Sequence, residues 1–327
     1  MLMVKIELSK ETRKYIDDQH REYIEITIVP RLEMKIKEYG EDDEKGRFLK
    51  TLFGDTEDKR KSCIINFCIS PNLIDLLKTF EDVFNDTYGF EYRSESEEHR
   101  KIIKDMESDI NFILNYEGFN IGKAISKNVK WSRHIFITSL GIKVCPYCNR
   151  QYITSYENDE AENRTTADAD HYYPKAKYPI LQMNIFNLVP SCNVCNSKTK
   201  GSKLKKHLYP YEDESDSLSF EIPTEISDRV SEILINTKMN KKAEASVEVF
   251  KLDKIYQAHL DEVSEIKERA KEYYAFKEKA YEATHGLKVP FNIFNLWFEF
   301  MGKNISSEPL IKLKQDVFKQ LKNELQK

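Results

Sequence analysis

Four of the six cysteines in this 327-residue chain fall into two Cys-x-x-Cys pairs, Cys145/Cys148 and Cys192/Cys195, and that spacing is metal chemistry. A Cys-x-x-Cys turn converges two thiolates on one cation, and two such turns complete the closed sulfur tetrahedron of a structural zinc. Pro146, Asn149, Asn193 and Asn196 place both pairs in turn-forming sequence. The stretch from Asn149 to Ser191 separates the pairs and is far longer than a minimal zinc ribbon holds, so the metal would pin the two ends of an inserted element. That element carries the dipeptide Asp170-His171. A redox dithiol, or four unrelated core thiols, is the competing reading; a lone pair would favour it, and two pairs favour zinc. Cys63 and Cys68, in SCIINFCIS, read as small core hydrophobes.

The order Asp170-His171, Asn187, then Cys192-x-x-Cys195-Asn196 resembles the HNH endonuclease family, in which a His, an Asn and a final His or Asn sit on a ββα-metal finger. With Asn196 last, the chain is similar to the H-N-N form. DHYYPKAKYP followed by NLVPSCNVCNSKTKG is most similar to the HNH subunits of bacterial anti-phage systems of the Septu and retron-associated kind. The resemblance covers Cys145 to Gly201 and no more. It implies metal-dependent hydrolysis of phosphodiester bonds in DNA, which needs a base for water, a cation on the phosphate and a group that fixes the tautomer of the base. In that scheme His171 is the base, and Asp170 and Asn196 are oxygen ligands to one Mg²⁺ or Mn²⁺, a hard cation distinct from the zinc. Asn187 accepts a hydrogen bond from one ring nitrogen of His171 and leaves the other free. The same resemblance implies an ATPase partner in a defence complex.

Each of these residues has a structural competitor. Asp170 could cap a helix or a turn, with Asp168 as a neighbouring candidate ligand, and Asn187 and Asn196 are also ordinary turn and cap residues. Lys198, Lys200, Lys203, Lys205 and Lys206 crowd behind Asn196, where a basic cluster suits phosphate. Lys200, one helical turn beyond Asn196, is the favoured phosphate contact. Many HNH fingers carry a basic residue three positions after the last ligand, where this chain has Thr199. Lys175 and Lys177, just after the Asp-His pair, are further candidates. The alternative function is a non-catalytic zinc-stapled module that binds nucleic acid or protein.

The elements that must position these residues are mostly helical, and the expected class is α+β, with helical flanks around the finger and a small sheet after it. Residues 1–140 read as a mainly helical region after a strand-like start at Met3 to Leu8. Ser70-Pro71 reads as a helix start, followed by Leu73, Leu76, Leu77, Phe80, Val83 and Phe84 at helical spacing. A second helix is carried by Ile102, Ile103, Met106, Ile110, Ile113 and Leu114. Residues 141–211 form the expected nuclease core, with a strand from Thr165 to His171, an exposed loop from Glu157 to Asn163 and a helix from Asn193. Residues 212–327 are expected to add strands at Leu218 to Ile222, Val230 to Asn236 and Ser246 to Leu252. A long helix from Asp253 stops at Gly286, and a last one carries Leu310 to Leu325. Val289 to Lys303 is the most aromatic patch, core by default and otherwise a docking surface.

At 40% hydrophobic the chain can build a sizeable core. Its net charge of −4 means that DNA affinity must come from a local basic patch, a metal or a partner. The first residues lack the apolar run of a signal peptide and no stretch reaches transmembrane length, so the reading is a cytoplasmic protein.

Overall fold

The computed structural model of the chain describes residues 4–40, 43–126, 129–157, 163–224, 229–283 and 291–325. The chain is α+β, mainly helical, with four small antiparallel hairpins among the described residues. The helix stop expected at Gly286 and loop residues 158–162 lie outside the described residues.

Among the described residues, eight α-helices precede the cysteine segment. α1 (Lys10–Tyr23) is capped by Ser9, whose Oγ accepts the Thr12 N–H, and a π-wound segment (Ile24–Ile28) joins it to α2 (Val29–Tyr39). There follow α3 (Glu44–Phe53), α4 (Glu57–Ile69), α5 (Leu73–Tyr88), α6 (Glu97–Leu114), α7 (Tyr116–Ile121) and α8 (Arg133–Ser139). The stripes read from the sequence are the buried faces of α5 and α6, because residues three and four apart share one side of a helix. Ser70 does not start α5, however. It ends α4, while Asn72 precedes α5 and its backbone N–H bonds to Ser70 Oγ. The expected strand at Met3 to Leu8 is, over its described part, an extended segment bonded to the Pro146 and Pro210 carbonyls.

The hairpins are β1 (Lys123–Ser126) with β2 (Val129–Trp131), β3 (Ser155–Glu157) with β4 (Asn163–Thr165), β5 (Asp168–His171) with β6 (Leu188–Ser191), and β7 (Ser219–Glu221) with β8 (Leu234–Asn236). In the third hairpin Asp170 faces Val189 and His171 faces Leu188. A short helix wound in π turns, Val194–Lys200, follows β6 directly. Among the described residues, five α-helices follow: α9 (Lys241–Phe250), α10 (Leu252–Ile255), α11 (Leu260–Ala283), α12 (Phe291–Trp297) and α13 (Ile311–Leu325).

One strand expectation fails. Ser246 to Leu252 alternates like a strand but belongs to α9 and α10, because Asn240 accepts the Lys242 and Ala243 N–H groups and starts a helix upstream. Residues 289–290 of the aromatic patch lie outside the described residues; Phe298 and Phe300 are core, buried against Phe318 of α13, and Phe298 also meets Tyr273 of α11, while Leu296 is exposed. A continuous apolar cluster runs from α1 through the cysteine segment to α13.

Candidate functional site

The four paired cysteines converge. Their sulfurs all lie within 4.8 Å of one another, Cys148 Sγ is 3.9 Å from Cys192 Sγ, and all four residues are buried. Zinc–sulfur bonds of about 2.3 Å set tetrahedral edges close to that separation, so the cluster could hold a structural zinc. Four thiols packed this closely also affect one another's ionisation. Burial raises the Cys145 thiol and the other three cysteines raise that of Cys195, while the Cys192 thiol is held down by the thiols that surround it. A dication relieves the mutual repulsion of four thiolates.

The first turn is anchored from outside. Buried Asn149 takes a left-handed backbone conformation, donates from Nδ2 to the Ile305 carbonyl at 2.7 Å, and accepts the Lys312 N–H at Oδ1. The Tyr256 hydroxyl of the C-terminal region bonds the Cys148 carbonyl. The second pair spans the end of β6 and the helix that follows it.

Beside the cysteines, Asp168, Asp170, His171 and Asn196 line a cleft of about 310 Å³ together with Tyr116, Arg133 and Lys175. His171 Nε2 lies 3.0 Å from the Gln182 carbonyl oxygen. A carbonyl only accepts, so Nε2 carries the ring proton and Nδ1 keeps its lone pair. The Tyr116 ring packs edge-on against the imidazole at 4.5 Å. Burial holds the His171 ring neutral, down at about 3, against the pull of its bond to Gln182.

The Gln182 carbonyl is itself held by the helical region. The loop that joins β5 to β6 docks on three helices: His20 Nε2 of α1 donates to the Met183 carbonyl, Asn184 Nδ2 donates to the Phe67 and Ser70 carbonyls at the end of α4, and Gln182 Nε2 donates to Asn111 Oδ1 of α6. Asn187 clamps the same loop from within, accepting the Tyr173 N–H at 2.7 Å and donating to the Tyr173 and Leu181 carbonyls at 3.1 Å. This corrects the bond expected between Asn187 and the His171 ring. The backbone has taken that place, and Asn187 fixes the loop that carries the carbonyl.

Asp170 and Lys200 form a sealed pair. Lys200 Nζ lies 2.8 Å from Asp170 Oδ1 and donates to the His171 carbonyl at 2.6 Å, while the Tyr147 hydroxyl donates to Asp170 Oδ2 at 2.7 Å. Burial pushes the Asp170 carboxyl up from its ordinary value, and Lys200 and Tyr147 pull it back. Lys200 was expected to face phosphate from the end of the helix, but its ammonium points inward. The π winding of the Val194–Lys200 helix moves the side chain off the exposed face that an α-helix would give it. Asn196 donates from Nδ2 to Asp168 Oδ2 at 3.1 Å, and Asn193 donates to the same oxygen.

The remaining lysines lie on the surface. Lys175 is 2.5 Å from Glu117 Oε1 and lies over the Tyr116 ring, while Lys177 and Lys198 are exposed. Thr199 bonds the Val194 and Cys195 carbonyls of its own helix. Tyr147, Gln182 and Arg133 were missed in the sequence. Their roles come from contacts between distant segments, and no local spacing marks them. Asp168 was more accessible, since two residues along a strand return to the same face. No family, curated protein or solved structure matches this chain.

Proposed function

We infer that this chain is a metal-dependent HNH-type endonuclease that hydrolyses phosphodiester bonds in DNA. One observation carries the reading: His171 Nε2 is tied to the Gln182 carbonyl, which leaves the Nδ1 lone pair for the cleft that Asp170 and Asn196 also line. That is the arrangement a general base needs, with one nitrogen anchored and the other free. The order of strand, loop, strand and short helix around the cysteine cluster supports a ββα-metal reading of this segment.

The oxygen donors on the cleft, Asp170 and Asn196 with Asp168 beside them, suit a hard cation such as Mg²⁺ or Mn²⁺. Each Asp170 oxygen keeps a lone pair beyond its bond to Lys200 or Tyr147, so the donor set fits. When bound, such a cation polarises the phosphate and offsets charge on the leaving oxygen. The chain's own residues do the rest. His171 Nδ1 accepts the proton of an attacking water, the Gln182 carbonyl keeps the ring in the required tautomer, and Asn187 holds that carbonyl in place. Lys200 and Tyr147 fix the Asp170 carboxylate.

A second reading is favoured by the enclosure of Asp170, whose two oxygens already hold Lys200 and Tyr147. It is a zinc-stapled module that binds nucleic acid or protein without cutting. Incubation of plasmid DNA with purified protein and Mg²⁺ or Mn²⁺, against EDTA, separates the two. Metal-dependent nicking supports the nuclease, and intact plasmid with retained DNA binding supports the module. The resemblance further suggests an ATPase partner in an anti-phage complex, and co-elution after co-expression with any ATPase encoded beside it is the test of that proposal.

A further inference from the structure

Arg133 is the one arginine lining the cleft among the described residues, and its guanidinium bonds the neutral Tyr116 phenol rather than a carboxylate. It opens α8, where Ser132 Oγ already accepts the Ile135 N–H and caps the helix. A cation in the first turn of a helix gains nothing from the helix dipole, which favours acids there. Its Nε is buried and has no hydrogen-bond partner among the described residues. A buried donor left without an acceptor carries a cost, and on the wall of a cleft a ligand oxygen can remove it.

The surroundings indicate what that ligand is. Two carboxylates face this cleft, but Lys200 occupies Asp170, and Asn193 and Asn196 occupy Asp168. Lys175 is matched by Glu117. Arg133 therefore offers a positive charge with no carboxylate partner among the described residues, in a cleft whose other charges have partners. The guanidinium lies beside the Tyr116 phenol, whose ring touches His171, so it stands one side chain away from the candidate base. A planar fork of N–H donors matches the paired oxygens of a phosphodiester.

We propose that Arg133, supplied by a helix outside the cysteine segment, binds a phosphate oxygen of the nucleic-acid strand in this cleft. The proposal rests on the nuclease reading and adds to it a substrate contact from the N-terminal helical region. The cysteine-bounded segment alone is then an incomplete site, and the helical flank contributes to the cleft as well as to the scaffold.

The test uses the full chain and two readouts. Binding of a short fluorescein-labelled DNA duplex is measured by anisotropy in the His171→Ala background between about 50 and 200 mM salt. Cleavage of plasmid is measured with His171 intact. Arg133→Gln is expected to weaken binding roughly tenfold or more and to make the slope of log affinity against log salt shallower by about 0.9, with Arg133→Lys in between. KM should rise while the melting temperature stays within the error of the unsubstituted chain. If the unsubstituted chain cleaves and Arg133→Gln matches it in affinity, salt slope and KM, the proposal is overturned and the nuclease reading stands. A drop in melting temperature with an unchanged salt slope also overturns it, since that is the result of a structural role. If the unsubstituted chain neither binds nor cleaves DNA, the nuclease reading falls and takes this proposal with it.

Discussion

The Lys200 ammonium sits 2.8 Å from Asp170 Oδ1, and the side chains are 1% and 3% exposed, so the end of a surface helix delivers its charge into the interior of the site. Removing one partner of such a pair strands the other charge away from water, at a cost of about 3–5 kcal/mol. Lys200→Met should therefore destabilise the chain by that order in urea denaturation. Asp170→Asn/Lys200→Met together should cost less than the two single changes summed. Strict additivity would mean that the two residues do not interact in solution.

The cysteine cluster makes a separate prediction. The purified protein should carry zinc in a one-to-one ratio, and Cys192→Ser should lose it and melt several degrees lower, because the metal joins both ends of the β5–β6 segment. Elemental analysis and a thermal melt with and without chelator check this. Full zinc content in Cys192→Ser would remove the cluster from the account.

Asn187 is fully buried and makes three bonds that close the loop over the candidate base. Asn187→Ala should cost roughly 1–3 kcal/mol, since two carbonyls and one N–H lose a partner. It should lower kcat more than it raises KM, because it loosens the loop that carries the Gln182 carbonyl, which orients His171. A variant with lowered stability but unchanged kcat would limit Asn187 to the fold.

His20 sets a pH dependence of stability. Its Nδ1 accepts the Trp131 indole N–H and its Nε2 donates to Met183, so the folded protein needs the neutral ring, and burial holds it down at about 4 from an ordinary 6.5. Between those values the unfolded chain binds the extra proton, so stability is full above about pH 6.5 and falls as pH drops towards 4, by roughly 3 kcal/mol for this residue. Denaturant unfolding at a series of pH values should show that decline. His20→Gln should make it shallower, and an equally steep decline in that variant would place its origin elsewhere.

The parts of this site that were legible in the sequence are those written within a few residues. Cys-x-x-Cys spacing fixes which sulfurs can meet, and Asp170-His171 on one strand fixes which groups arrive together. The α5 and α6 stripes could be read because helical periodicity is local. The partners of these groups could not be read, since Tyr147–Asp170 and Lys200–Asp170 join segments distant in sequence, and His171–Gln182 depends on how the loop docks against α1, α4 and α6. Lys200 was misplaced because a lysine after a helical run suggests a solvated face, and only the π winding turns it inward. Ser246 to Leu252 was misread because a seven-residue alternation carries less information than the Asn240 cap six residues before it.

The central claim is that the free nitrogen of His171 takes a proton from water during phosphodiester cleavage. Its most direct test is the rate of plasmid nicking under Mg²⁺ or Mn²⁺ by the unsubstituted chain and by His171→Ala, each with its zinc content and melting curve recorded. The account expects metal-dependent nicking that falls by at least about a hundredfold in His171→Ala, with zinc retained. Nicking by His171→Ala at the unsubstituted rate under the same metal would contradict it.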